Sequence, residues 1–190
     1  MSRWSTVPTW CKHTSGTPIL ATTLPGMPNR VTAIVATPAS LGTEYVNHWR
    51  IFLALSDNVC IIFDPVKVSR TSTRLRLGID ARPYRLTNRG LMAIPFSLGA
   101  QQQITPYTIY QALHNNRLLE YRFTPQGRGC RFWIKAVVTF LAQNSFIAFS
   151  NPTLLQPYLV WKYRFTGRIL ATGVAETNAE PDPMPAGTFL

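Results

Sequence analysis

Acids are scarce in this sequence: eight Asp and Glu stand against nineteen Lys and Arg, a net charge of +11 over 190 residues. With only Glu44, Asp57, Asp64, Asp80 and Glu120 between Val31 and Val160, paired-carboxylate glycoside chemistry has few residues to draw on. Cysteine is scarce too. Cys11, Cys60 and Cys130 are odd in number and widely spaced, which excludes a disulfide framework and a zinc pattern. His13, His48 and His114 lack the company of metal ligands, so no metal and no cofactor is expected. Glycine-rich phosphate fingerprints are missing, since Gly127-Arg-Gly129 has neither the further glycines nor a Lys-Ser/Thr pair. No apolar run reaches the ~18–20 residues of a membrane span, and Lys135 breaks the longest one, Phe132–Ala142. The first thirty residues hold no continuous apolar stretch and carry Pro8, Pro18, Pro25 and Pro28, so no secretory leader is expected there. A reducing, cytoplasmic setting is the simplest expectation for these thiols.

What is present is a chain with 46% apolar residues, enough for one core. Fifteen of the nineteen cations are Arg. Arg70, Arg74, Arg76, Arg82, Arg85 and Arg89, with Lys67, share a stretch whose one acid is Asp80. Such a field would draw an anionic partner, with Arg74, Arg76, Arg82 and Arg85 as its contacts. Nucleic acid is disfavoured, because Tyr84 is the only stacking aromatic of that stretch and no binding motif accompanies it.

Along the chain, residues 1–30 read as an arm, 31–171 as a single domain and 172–190 as an acidic, Pro-rich extended tail. The β-branched run Arg30–Thr37 predicts a strand ended by Pro38. Tyr45–Leu55 and Val59–Phe63, separated by Ser56-Asp57-Asn58, predict a hairpin. Thr73–Ile79 alternates as a strand with one wet face, and Tyr84–Leu86 and Leu91–Phe96 follow as shorter strands. Thr105-Pro106 gives a hydroxyl N-cap and a first-turn proline, predicting a helix to His114. Leu119–Phe123 and Phe146–Phe149 read as strands, and Thr153–Tyr163 as a helix disturbed by Pro157. The strongest helix is Cys130–Gln143, apolar around most of its circumference and therefore packed inside. The sum is α+β: a mostly antiparallel sheet packed on a central buried helix.

Cys130 stands at the start of that helix, where unsatisfied N–H groups favour the thiolate and could stabilise an oxyanion beside the sulfur. Arg128 and Arg131 flank it. Buried cysteine also fills space without reacting, so a partner base decides the matter. His48 on the preceding hairpin is that partner. Asp64 on the return strand could orient it, on one condition. If Leu55 pairs with Val59, Asp64 shares the face of His48 and lies diagonal to it; a two-residue turn would reverse the face. Asn47 points the other way.

Asn47-His48-Trp49 followed by Tyr121-Arg-Phe-Thr-Pro-Gln-Gly-Arg-Gly-Cys-Arg-Phe-Trp133 and the ending Gly187-Thr188-Phe189 resembles a family of uncharacterised fungal proteins, over roughly Val31 to Leu190. In its order of elements it is similar to the circularly permuted papain-like superfamily, which includes lecithin–retinol acyltransferase-like enzymes. The resemblance implies Cys130 as nucleophile, His48 as base and Asp64 as third member. It departs from that pattern about twelve residues after the histidine, where Val59 or Cys60 stands. Trp49, Arg128, Arg131 and Trp133 are the expected substrate contacts. The expected activity is acyl transfer, as hydrolase or transferase. The alternatives are a secondary-metabolism protein steering a cyclisation in an aromatic pocket, or a non-catalytic basic binding module.

Overall fold

The structure is a computed structural model that describes residues 21–26, 30–41, 44–56, 59–83, 94–100, 103–169 and 175–190. Five of the expected segments build the main sheet. Strands β1 (Ala33–Leu41), β2 (Glu44–Ser56), β3 (Val59–Lys67), β4 (Leu75–Pro83) and β5 (Ile94–Phe96) form a five-stranded sheet in the order β4-β3-β2-β1-β5, antiparallel throughout. Pro38 does not end β1 as expected but pairs with Trp49 inside it. Among the described residues β5 pairs with β1 from Ile34 to Ala36, so the missing N–H of Pro38 breaks none of the described outer pairs.

Helix α1 (Pro106–Asn115) begins as expected, with Thr105 and Thr108 forming a reciprocal capping box and Pro106 in the first turn. Helix α2 spans Cys130–Gln143, the predicted bounds. It lays Ile134, Val137, Val138 and Leu141 into one core with Trp49, Ile51 and Leu53 of β2 and Ile61 and Phe63 of β3. Each such side chain stabilises the fold by roughly 1.5–3 kcal/mol through burial. Period-two alternation puts those strand residues on the helix face and leaves His48, Arg50, Asp64 and Val66 on the other.

The second half departs from expectation. Phe146–Phe149 makes only an isolated bridge, Leu98↔Ile147, and helix α3 stops at Leu159 (Asn151–Leu159). Trp161–Ile169 is then strand β7, paired with β8 (Ala175–Pro181). The aromatic and β-branched content after Val160 finds a partner in residues that, read alone, look like an acidic tail. Residues 188–189 form β9, paired with β6 (Tyr121–Arg122). The predicted strand Tyr84–Leu86 and the turn after it lie outside the described residues, as do His13 and Arg85. Among the described residues no helix is long and apolar enough to cross a membrane.

Candidate functional site

Register decides the site. Ser56 pairs with Val59, which taken alone would carry the wrong parity along the hairpin. A bulge between Ala54 and Ser56 absorbs one residue, and from Ala54↔Cys60 to Ile51↔Phe63 the pairing is the one that Leu55↔Val59 would have set. Extended one step, this register puts Arg50 opposite Asp64 and His48 diagonal to it, all on one face. The ladder stops at Ile51↔Phe63, and the strands part where these side chains begin.

Into that opening comes the start of α2. His48 Nε2 and Asp64 Oδ1 make a short hydrogen bond. The other carboxylate oxygen, Oδ2, lies 2.9 Å from Arg50 Nε in an ion pair. Cys130 is hydrogen-bonded to the His48 side chain and to the backbone N–H of Trp49. With Nε2 engaged by Asp64, Nδ1 is the ring nitrogen left for sulfur. All three of His48, Asp64 and Cys130 are partly buried, and His48 and Cys130 line a cleft of about 420 Å³. Val66, Lys67, Gln126 and Pro185 contribute to its walls.

The electrostatics follow from this line of contacts. Burial pushes the His48 imidazolium toward neutrality, but the hydrogen bonds from Asp64 and Cys130 and their charges outweigh it and raise its pKa from 6.5 to about 9. For Cys130, burial favours the neutral thiol, yet the hydrogen bond and charge of His48, the Trp49 amide and Arg131 hold the pKa below the ordinary thiol value. Both shifts favour a thiolate facing an imidazolium over the neutral pair.

Two glycines and a tyrosine fix the helix start. Gly129, the residue before α2, has φ 131°, a conformation side-chain-bearing residues rarely adopt, and a Cβ there would lie 2.6 Å from Tyr121 Oη. The buried Tyr121 hydroxyl donates to Gly129 O and accepts from Gly187 N, both at 2.9 Å. Gly187 is equally constrained, since a Cβ would stand 2.2 Å from both Tyr121 Oη and Arg122 O. Burial raises the phenol to about 12, which keeps it a neutral donor. The N-cap at Gly129 supplies no side chain to bond the first-turn N–H groups beside the sulfur.

Of the four residues expected to contact substrate, Arg128 and Arg131 line the cleft, whereas Trp49 and Trp133 do not. Trp49 alternates to the helix face and is wholly buried. Trp133 sits on the inner side of α2, also wholly buried, with its indole N–H donating to Leu118 O at 2.8 Å. Arg131 is buried as well: it donates to Leu159 O and Asp182 O, each at 2.9 Å, and to Asp182 Oδ2 at 2.6 Å. Arg128 lines the cleft, but its guanidinium spans both Asp182 oxygens at 2.8 Å. These two arginines are engaged in anchoring the C-terminal segment, a partner more than fifty residues away that local sequence could not supply. Of the cationic stretch, Arg74, just before β4, and Arg76 on it are exposed, and Arg82 stands opposite Cys60 in the ladder. His114 is exposed at the end of α1, bonded to Asn115. Sequence reading passed over Arg50, Tyr121 and Asp182. The signal for Arg50 was available, since its spacing of two from His48 guarantees a shared face.

No curated protein and no solved structure matches the chain. Its residues 31–190 match the model of a domain of unknown function, DUF7770, and the chain belongs to that family.

Proposed function

We propose that the protein is a thiol-dependent acyl-transfer enzyme, a hydrolase or transferase, built on a circularly permuted papain-like arrangement. The observation that carries this reading is the unbroken line Cys130–His48–Asp64 at the edge of a cleft. A core cysteine that merely fills space needs no imidazole, and a steering pocket needs no thiol in its wall.

The Cys130 thiolate attacks a carbonyl carbon, forming the C–S bond while the π electrons move to oxygen. The oxyanion lies against the first-turn N–H groups of α2, where one such donor is worth about 10²–10³ in rate. Collapse breaks the bond to the leaving group, which takes the proton from His48 Nδ1. Water or another acceptor then gives its proton to the same nitrogen as it attacks the thioester, and sulfur leaves as thiolate. Asp64 holds the imidazole ring in place throughout. Exposed Arg74 and Arg76 would receive an anionic portion of the substrate.

Iodoacetamide alkylation across pH, in wild type, Cys130→Ala and His48→Ala, tests the reading without a known substrate. The expected result is a Cys130-dependent rate that already plateaus well below pH 8 and moves up toward about 8.5 in His48→Ala. A Cys130 titrating near 8.5 in the wild type would overturn it. A panel of activated esters and thioesters then reads turnover.

A further inference from the structure

Arg50 is not explained by packing. It lies on β2 two residues from His48, at the position that would face Asp64 if the ladder ending at Ile51↔Phe63 ran one step further, and lines the cleft. Its Nε is 2.9 Å from Asp64 Oδ2 but is not aligned for a hydrogen bond, so the contact is coulombic. The arrangement divides one carboxylate between two partners, with Oδ1 on the imidazole and Oδ2 on the guanidinium. A carboxylate held at one oxygen alone can turn about its Cβ–Cγ bond and can protonate; one held at both does neither easily.

We infer that Arg50 is a positioning residue of this centre, holding Asp64 ionised and oriented so that Asp64 in turn holds His48 toward Cys130. The inference rests on the thiol–imidazole reading above and adds a fourth member that acts through the third. Strand geometry makes the unit self-consistent. His48 and Arg50 share a face by alternation, and their common partner reaches both because one is directly across and the other diagonal. Among the described residues, those that face the carboxylate include His48 and Arg50 from β2 and Gly78 from β4, with Cys130 beyond the imidazole on α2. Lys67, Arg128 and Arg131 line the same cleft, and two of these three are committed to Asp182.

Removing the Arg50 charge takes a cation from the neighbourhood of the thiolate and frees Asp64 to turn. Both effects favour the protonated thiol. The sign is therefore fixed: the acid-side inflection of Cys130 reactivity moves to higher pH.

The test is iodoacetamide alkylation of the full chain at graded pH for wild type, Arg50→Met, Arg50→Lys, Asp64→Asn and the double variant, with thermal melting alongside. Arg50→Met is expected to raise the inflection by about one pH unit, so that the rate on the acid limb falls about tenfold. Arg50→Lys should recover part of it by restoring charge without the fork. In the Asp64→Asn background, adding Arg50→Met should move the inflection much less than it does in the wild type, because the residue through which Arg50 acts is gone. An Arg50→Met profile that overlays the wild type, or a shift of equal size with and without Asp64, would overturn the inference. A lower melting temperature with an unmoved inflection would assign Arg50 to structure alone. Should Arg50→Met fail to fold, Arg50→Lys against Asp64→Asn carries the same comparison. A wild-type inflection near 8.5 would instead remove the underlying reading, so the two failures are distinguishable.

Discussion

Two cation–carboxylate clusters flank Cys130, and they differ in one respect. On the sheet side Asp64 divides its oxygens between Arg50 and His48, and on the helix side Asp182 gives both oxygens to Arg128 and Arg131. The second carboxylate is saturated by two groups that never deprotonate, so it is a fixed clamp. The first carries a group that titrates, and the state of that group is coupled to a thiol. Similar chemistry thus yields a tether in one place and a responsive centre in the other. The identity of the second cation decides which.

The comparison is broken most severely at the sulfur. Cys130→Ala should lower turnover of an activated ester by about 10³-fold or more, measured at saturating ester. Unfolding in denaturant should change little, because the residue lies at the edge of the core. Asp182→Asn should do the opposite. It leaves the buried Arg131 charge without its counter-ion and should cost about 3–5 kcal/mol in denaturant unfolding while leaving the pH of the alkylation inflection in place. The two arginines beside Asp182 hold its carboxyl below the usual range against the opposing effect of burial. A carboxylate with a depressed folded pKa adds stability that is present above its unfolded value and lost as pH falls through the folded one. In the wild type this acid-side loss should therefore appear below about pH 4, and Asp182→Asn should abolish it.

Gly129→Ala lies between the two clusters. The positive φ and the Tyr121 hydroxyl 2.6 Å from the added methyl should cost about 1–3 kcal/mol by thermal melting. Some loss of thiol reactivity should accompany it as the helix start shifts.

The smallest effect is the most diagnostic. A histidine with a raised folded pKa adds stability that is present below its unfolded pKa and lost as pH rises through the folded value, here from 6.5 to about 9. A thiol with a lowered folded pKa adds stability present above its unfolded value and lost as pH falls. The two slopes oppose each other, so above about pH 6.5 the wild-type unfolding free energy should vary less with pH than the histidine alone would make it. Cys130→Ser removes one slope, and stability should then decline with rising pH above 6.5, by about 1 kcal/mol.

Much of the fold was legible where local rules suffice. The capping box at Thr105, the bounds of α2 and the alternation of β2 through β4 follow from residue type and spacing. The pairing of Trp161–Ile169 with Ala175–Pro181 was not, because a strand is defined by a partner and the composition of this partner suggests a tail. The site divides the same way. Cys130 at a helix start and His48 on a strand could be read from the chain, and Asp64 could be read as conditional on a hairpin register. The condition was met through a bulge at Leu55, a feature that two otherwise similar apolar runs do not announce.

By itself, then, the sequence determined which residues could react: a thiol preceded by glycines, an imidazole and a carboxylate on alternating strands, each set by short-range geometry. The tertiary structure alone decided which charges are available. Arg128 and Arg131 looked free beside Cys130 until the chain brought Asp182 back to them, while Arg50, two residues from His48, acquired its ion pair only when β3 brought Asp64 to it. The physical reason is that an ion pair depends on distance in space, and spacing along the chain does not fix that distance between strands and segments fifty residues apart.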